Sequence, residues 1–288
     1  MSSRVFSSFV LCALAQCITA QEPETLLERG TYLVESIAGC GNCHTPKTAD
    51  GAPMTNMRLA GAFVIEEPGA FTAYAPNITM DIETGIGSWS DEEIVRAIRE
   101  GFRPDGTLIG PPMPTLFYRD ISDRDVQAIV RYLRTVQPIE NVVPASEYQI
   151  PLPPNWGPPV RSVSEVSRED LSAYATYLAV TLGHCNECHT PMIEGRYDFS
   201  RTGLGGRAFP NIFDLGYTAI SANVTPHPTL GIGAWTDEQI KRAIAEGIRP
   251  DGSQMLPSMG FAYYARMTDE DLDALVVYLR SLPPQPEE

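Results

Sequence analysis

Apolar residues recur at helical spacing in two stretches of the chain. Val126, Ile129, Val130 and Leu133 fall at i, i+3, i+4 and i+7, and Leu272, Leu275, Val276 and Leu279 do the same. Each set forms one apolar stripe along a helix. Ser122 with Asp125 and Thr268 with Asp271 mark the starts of these helices, and Pro138 and Pro283 stop them. A middle helix is expected after Ser90, with Glu93 three residues on, and its twin after Thr236, with Gln239 in the same place. A first helix is expected over about 23–38 and its counterpart over about 168–182, where Ser167 and Asp170 resemble a capping box. No clean period-two alternation is visible. The expected fold is therefore all-α, each half being a few helices joined by long loops rich in Gly and Pro.

The two stretches belong to an internal repeat. Tyr32-Leu33 matches Tyr177-Leu178, and Asn77-Ile78-Thr79 matches Asn223-Val224-Thr225. The run from Gly85 to Asp91, with Trp89, matches the run from Gly231 to Asp237, with Trp235. Arg103-Pro104-Asp105-Gly106 matches Arg249-Pro250-Asp251-Gly252, Tyr118 matches Tyr264, and Tyr132-Leu133-Arg134 matches Tyr278-Leu279-Arg280. The expected organisation is a signal peptide over 1–20, a domain over 21–137, a Pro-rich linker over 138–166 and a second domain over 167–288. Prolines such as Pro144, Pro151 and Pro153 favour an extended connector, with Trp156 as its anchor.

The chemistry sits in Cys40-Gly41-Asn42-Cys43-His44 and its repeat, Cys185-Asn186-Glu187-Cys188-His189. In an exported chain, C-x-x-C-H reads as a c-type haem attachment site. Two thiols one helical turn apart can each add to a haem vinyl group, and the adjacent His offers an imidazole nitrogen to the iron. A covalently held haem would also supply core that a few short helices lack. Each half carries a Met in a corresponding loop, Met113 in Gly110-Pro111-Pro112-Met113-Pro114 and Met259 in Leu256-Pro257-Ser258-Met259-Gly260. A thioether is a soft sixth ligand that raises the potential. Met255 is a rival in the second half, but it aligns with Ile109.

Composition bears on compartment and partners. Residues 1–20 carry Arg4 as their one charge, then an apolar run ending in Ile18-Thr19-Ala20, as an export signal does. Cleavage there removes Cys12 and Cys17 and leaves four cysteines, all in the two motifs. Cys17 lies in a stretch loosely similar to a lipoprotein box, with Gln16 a poor fit. The expected location is the periplasm, with membrane contact only peripheral. The net charge of −15 excludes nucleic acid as a partner and favours one with a basic docking face.

On the segments from Gly39 to Pro46, Asn77 to Asp91 and the Met113 loop, with their counterparts through Met259, the chain resembles the small class I cytochromes c, duplicated in tandem. More narrowly it is similar to the cytochrome c subunits of periplasmic alcohol, gluconate and related dehydrogenase complexes. The resemblance implies two covalent haem c groups, one on Cys40 and Cys43 with His44 and Met113 axial, the other on Cys185 and Cys188 with His189 and Met259 axial. It implies single-electron transfer from a periplasmic dehydrogenase to a cytochrome, an oxidase or a quinone-linked acceptor of the respiratory chain. Those subunits usually carry three haem domains and a C-terminal membrane-binding segment, whereas two domains are read here and the chain ends in Pro283 to Glu288. A dihaem enzyme such as a peroxidase is the alternative, but its acid–base groups would have to come from His184 and His227. A thiosulfate dehydrogenase would need a fifth cysteine, and a haem-based sensor would need a signalling domain. Trp89 and Trp235 either donate to a propionate or pack on the porphyrin, and Arg103 and Arg249 either pair with propionates or lie at the surface.

Overall fold

The computed structural model describes residues 24–286. The expected signal over 1–20, with Cys12 and Cys17, lies outside them. In chain order the helices of the first half are α1 (Leu26–Glu35), α2 (Gly41–His44), α3 (Asp91–Glu100), α4 (Thr115–Tyr118) and α5 (Asp123–Leu133). The second half holds α6 (Leu171–Thr176), α7 (Cys185–His189), α8 (Asp237–Glu246), α9 (Phe261–Tyr264) and α10 (Asp269–Ser281). A wider π turn, Tyr177–Leu182, continues α6 towards α7.

Local chemistry explains these boundaries. Ser90 and Glu93 cap α3 reciprocally, and Thr236 and Gln239 do the same for α8, so two orphan N–H groups are satisfied at each end. Gly101 and Gly247 close both helices in the left-handed conformation. For α6 the cap is Asp170, whose carboxylate accepts from Ala173 N at 3.1 Å, while Ser167 Oγ accepts from Glu169 N. The expected Ser167–Asp170 capping box is therefore replaced by an Asp cap three residues further on.

The all-α expectation is overturned. Strand accounts for 11% of the chain, in three small sheets. Strands β1 (Ala62–Glu67) and β2 (Phe71–Ala75) form a hairpin, to which β3 (Glu147–Tyr148) from the connector adds a third strand. Strands β4 (Met192–Ile193) and β5 (Arg196–Tyr197) make a short ribbon, and β6 (Ala208–Pro210) pairs with β7 (Thr218–Ile220). The aromatic and β-branched residues around Pro68-Gly69 favour the first hairpin. Its register shifts between Phe63 and Ile65, and that bulge breaks the alternation that would have marked β1 in the sequence.

The expectation of two tandem class I domains is corrected for a related reason. One hydrophobic core takes side chains from both halves, joining Leu33, Ile37, Ile129 and Leu133 to Leu178, Leu182, Leu275 and Leu279. Each such side chain stabilises the fold by roughly 1.5–3 kcal/mol when fully buried. Polar bonds cross the same junction. Tyr32 donates to Asp271 Oδ2 at 2.6 Å, and Tyr177 donates to Asp125 Oδ2 at 2.8 Å. The Tyr177 oxygen also accepts from Ser122 N at 3.1 Å. Asp125 holds Arg29 through two bonds of 2.8 and 2.9 Å, and Asp271 accepts from Tyr174 and Arg168.

These phenols make the junction sensitive to alkali. Burial, then the hydrogen bond to Asp271, push Tyr32 up to about 12 from its ordinary 10.0. Burial and the charge of Asp125 raise Tyr177 as well. A folded-state pKa above the unfolded one contributes stability that is complete below pH 10 and is lost as pH rises through the folded value. The urea midpoint is therefore expected to fall between about pH 10 and 12. In a Tyr32→Phe/Tyr177→Phe chain that fall should flatten, with about 1.5–3 kcal/mol per lost bond already missing at pH 7.

Candidate haem site

Helix α2 is a single turn between Cys40 and Thr45, and it places Cys40, Cys43 and His44 together. Its start is crowded by design: a Cβ on Gly41 would lie 2.2 Å from the Tyr263 hydroxyl. Both thiols are half-buried, and desolvation pushes Cys40 and Cys43 up to about 12. Burial likewise pushes Cys185 up to about 11 and raises Cys188. These are the reverse of the exposed, low-pKa thiols of redox pairs. All four are free of disulfides.

Each motif histidine is oriented by a backbone carbonyl. His44 Nδ1 lies 2.8 Å from Pro76 O, and His189 Nδ1 lies 2.8 Å from Ala222 O. A carbonyl only accepts, so Nδ1 carries the proton and the lone pair stays on Nε2, the tautomer a metal ligand needs. Burial holds both imidazoles below their ordinary pKa, against the opposing effect of these bonds.

Cys40, Cys43, His44 and Met113 all line one cavity of about 1480 Å³. That exceeds the roughly 300–1,000 Å³ of ordinary small-molecule pockets. Ile94, Ile129, Leu133 and Trp89 give it an apolar wall, and Arg103 reaches it as well. Cys188, Glu187 and His184 reach the same space from the second half, whereas Cys185, His189 and Met259 are not among its lining. Met255 N donates to Gly247 O as Ile109 N donates to Gly101 O, so Met255 occupies the Ile109 position. His184 Nδ1 lies 2.9 Å from Glu187 Oε2, and its ring meets the edge of Tyr118. The His227 ring accepts from Thr229 N and Leu230 N, closing a turn.

Sequence reasoning missed the lining role of the hairpin β1–β2 and of connector residues Tyr148 and Trp156. Tyr148 donates to Pro111 O and Trp156 Nε1 to Ile109 O, both at 2.9 Å, and so brace the Met113 loop. Trp156 was visible as an anchor, but its target was not. The crossing tyrosines were visible as repeat partners, but their carboxylate acceptors were not.

Residues 178–283 match the cytochrome c family. The chain carries a cytochrome c domain. A cytochrome c domain implies covalently bound haem c, and the half-buried free cysteines, Nδ1-protonated histidines and apolar cavity fit that group. Over 302 residues the chain is 30% identical to the cytochrome c subunit of the quinone-type alcohol dehydrogenase from Komagataeibacter europaeus, covering 98% of this chain and 62% of that protein. It is 31% identical to the fructose dehydrogenase cytochrome subunit of Gluconobacter japonicus, covering 91% and 53%. It is 26% identical to a diheme cytochrome c-type protein of Cereibacter sphaeroides, covering 85% and 82%. The chain thus spans little more than half the length of the dehydrogenase subunits it matches. No described helix is long and apolar enough to cross a membrane.

Proposed function

We propose that this cytochrome is a dihaem carrier that passes single electrons from a periplasmic dehydrogenase towards the respiratory chain. The observation that supports it best is the matched pair of motif helices, each with two half-buried free thiols and an imidazole fixed by a carbonyl. Bound haem c supplies one-electron redox chemistry. The chain's own residues set the conditions for it. Cys40 and Cys43, and Cys185 and Cys188, provide the attachment points. His44 and His189 present Nε2 because Pro76 O and Ala222 O hold their other nitrogen. Met113, which lines the cavity with His44, would also hold the iron, as would Met259 in the second half, and Tyr148 and Trp156 steady the Met113 loop. Ile94, Ile129 and Leu133 keep water from the first site. The acidic surface speeds encounter with a partner that has a basic face, and this rate falls with salt.

The peroxidase reading finds less support. His227 closes its own turn and is not among the residues lining the cavity, whereas His184 lines it with Nδ1 held by Glu187.

The test is spectroscopic and potentiometric. Two haems per chain and a near-infrared Met-to-ferric-iron band are expected. Met113→Ala and Met259→Ala should each lower one midpoint potential, by about 0.1–0.2 V of the ~0.8 V that axial ligands span. If Met255→Ala lowers a potential and Met259→Ala does not, the second ligand is misassigned. A high-spin spectrum with ready peroxide turnover would favour the enzyme.

A further inference from the structure

The loop that carries Met259 leans on the opposite half of the molecule. Helix α9 follows Met259 directly, with Gly260 as its N-cap, and has 4 residues. A single turn makes too few hydrogen bonds to hold its own place, so packing decides where it sits. On its own side Phe261 covers Gly247 at the end of α8, where a Cβ would lie 2.8 Å from the ring. Its other side lies against α2, the turn that carries Cys43 and His44.

The contacts run the length of the loop. Pro257 packs on Gly51, where a Cβ would lie 2.5 Å from the proline ring. A Cβ on Gly260 would lie 3.6 Å from the Asn42 side chain, between the two cysteines of the motif. Tyr263 is 5% exposed and stands on Gly39 and Gly41. Just beyond α9, Arg266 donates to Glu35 Oε2 of α1 at 2.9 Å. The reciprocal helix α4, which follows Met113, lies against the Tyr177–Leu182 turn, and Tyr118 meets the His184 ring at 5.6 Å. Tyr118 and Tyr264 stand at matching positions, and both line the cavity that Cys43 and Cys188 share.

The repeat shows what Gly41 is for. Its counterpart is Asn186, so the motif turn itself accepts a side chain at this position. In the first half a Cβ would lie 2.2 Å from the Tyr263 hydroxyl and 2.7 Å from its ring, closer than real Cβ atoms come. Glycine here makes room for a residue of the other half.

We propose that Tyr263 is a positioning residue that ties the Met259 loop to the Cys40–His44 turn, so that the first site sets the potential of the second haem. The inference rests on the reading of Met259 as an iron ligand. Close-packed contacts transmit strain, so a shift of the α2 turn passes to the ring that stands on it and on to the loop before it. A loop moved off its seat holds its thioether less firmly, and weaker thioether ligation lowers a potential.

The test uses the full haem-loaded chain. The midpoint wave that survives in Cys40→Ala/Cys43→Ala belongs to the second haem, and the one that survives in Cys185→Ala/Cys188→Ala to the first. Gly41→Ala should retain two haems, lower the second haem's potential and remove about half of the near-infrared Met band, although Gly41 lies in the other half. Tyr263→Leu should lower the same potential, and Tyr263→Phe, which keeps the ring as Phe117 does in the repeat, should leave it in place. The Gly41→Ala/Tyr263→Leu chain, in which the new methyl meets a shorter side chain, should recover at least about half of the shift. Tyr32→Phe, which loosens the junction elsewhere, should not move it. If Gly41→Ala fails to load haem, Asn42→Phe, which crowds Gly260 from the same turn, carries the same expectation. A second wave that Met259→Ala moves and the α2 substitutions do not would overturn the coupling, as would additive losses in the Gly41/Tyr263 pair. A second wave unmoved by Met259→Ala would instead overturn the ligand reading beneath it.

Discussion

A Cys40→Ala/Cys43→Ala chain is expected to carry half the covalent haem of the unaltered protein. A Cys185→Ala/Cys188→Ala chain should lose the other half, and the fourfold variant should be colourless. The pyridine haemochrome assay per chain, with intact mass, reads the result directly. The reasoning is structural as well as chemical. The cavity beside Cys40 and Cys43 is about 1480 Å³ and lined by Val64, Ile65, Ile94 and Leu133. Such a space is stable only with a group that fills it, because apolar walls without partner atoms lose their dispersion contacts. A covalent haem stays on the unfolded chain as well, so it stabilises only through the apolar contacts that it makes in the folded state. Loss of the first haem should therefore lower stability by removing those contacts. Retention of both haems in the Cys40/Cys43 variant would remove the site from the first half.

Asp125→Ala should be the most damaging single change remote from the two C-x-x-C-H turns. Arg29 and Asp125 are each 4% exposed and share two short bonds across the α1–α5 contact. Removing one partner of a buried pair leaves an uncompensated charge and typically costs about 3–5 kcal/mol. Asp125 also accepts the Tyr177 hydroxyl from the other half. Loss of that bond should broaden the urea transition or split it in two, because the halves then unfold less cooperatively. Arg29→Leu combined with Asp125→Leu should recover much of the loss, since an apolar pair of similar volume needs no charge compensation. A single sharp transition, displaced by less than about 1 kcal/mol, would show that the pair does not hold the junction.

Arg29 and Asp125 illustrate what single-chain reading leaves out. Asp125 was visible as the acid that follows the Ser122 cap, and Ser122 Oγ does accept its N–H at 3.1 Å. Nothing local showed that its carboxylate turns to Arg29 and Tyr177, which are distant in sequence. The reciprocal bonds of Tyr32 and Tyr177 are of the same kind. Matching positions in the repeat marked the residues, but only folding brought each to the opposite half's aspartate.

By itself the sequence determined much of what local spacing controls. The two C-x-x-C-H turns, the caps of α3 and α8 and the apolar stripes of α5 and α10 are written within a few residues of themselves, where helical hydrogen bonds close. It did not determine the sheets, because a strand is completed by a distant partner, and the bulge at Phe63–Ile65 erased the one periodic signal available. Only the tertiary structure decided that the proline-rich connector supplies a strand and braces the Met113 loop. It also decided that one core serves both halves. These features rest on contacts between segments far apart in the chain, and their free energy depends on the packing that brings them together.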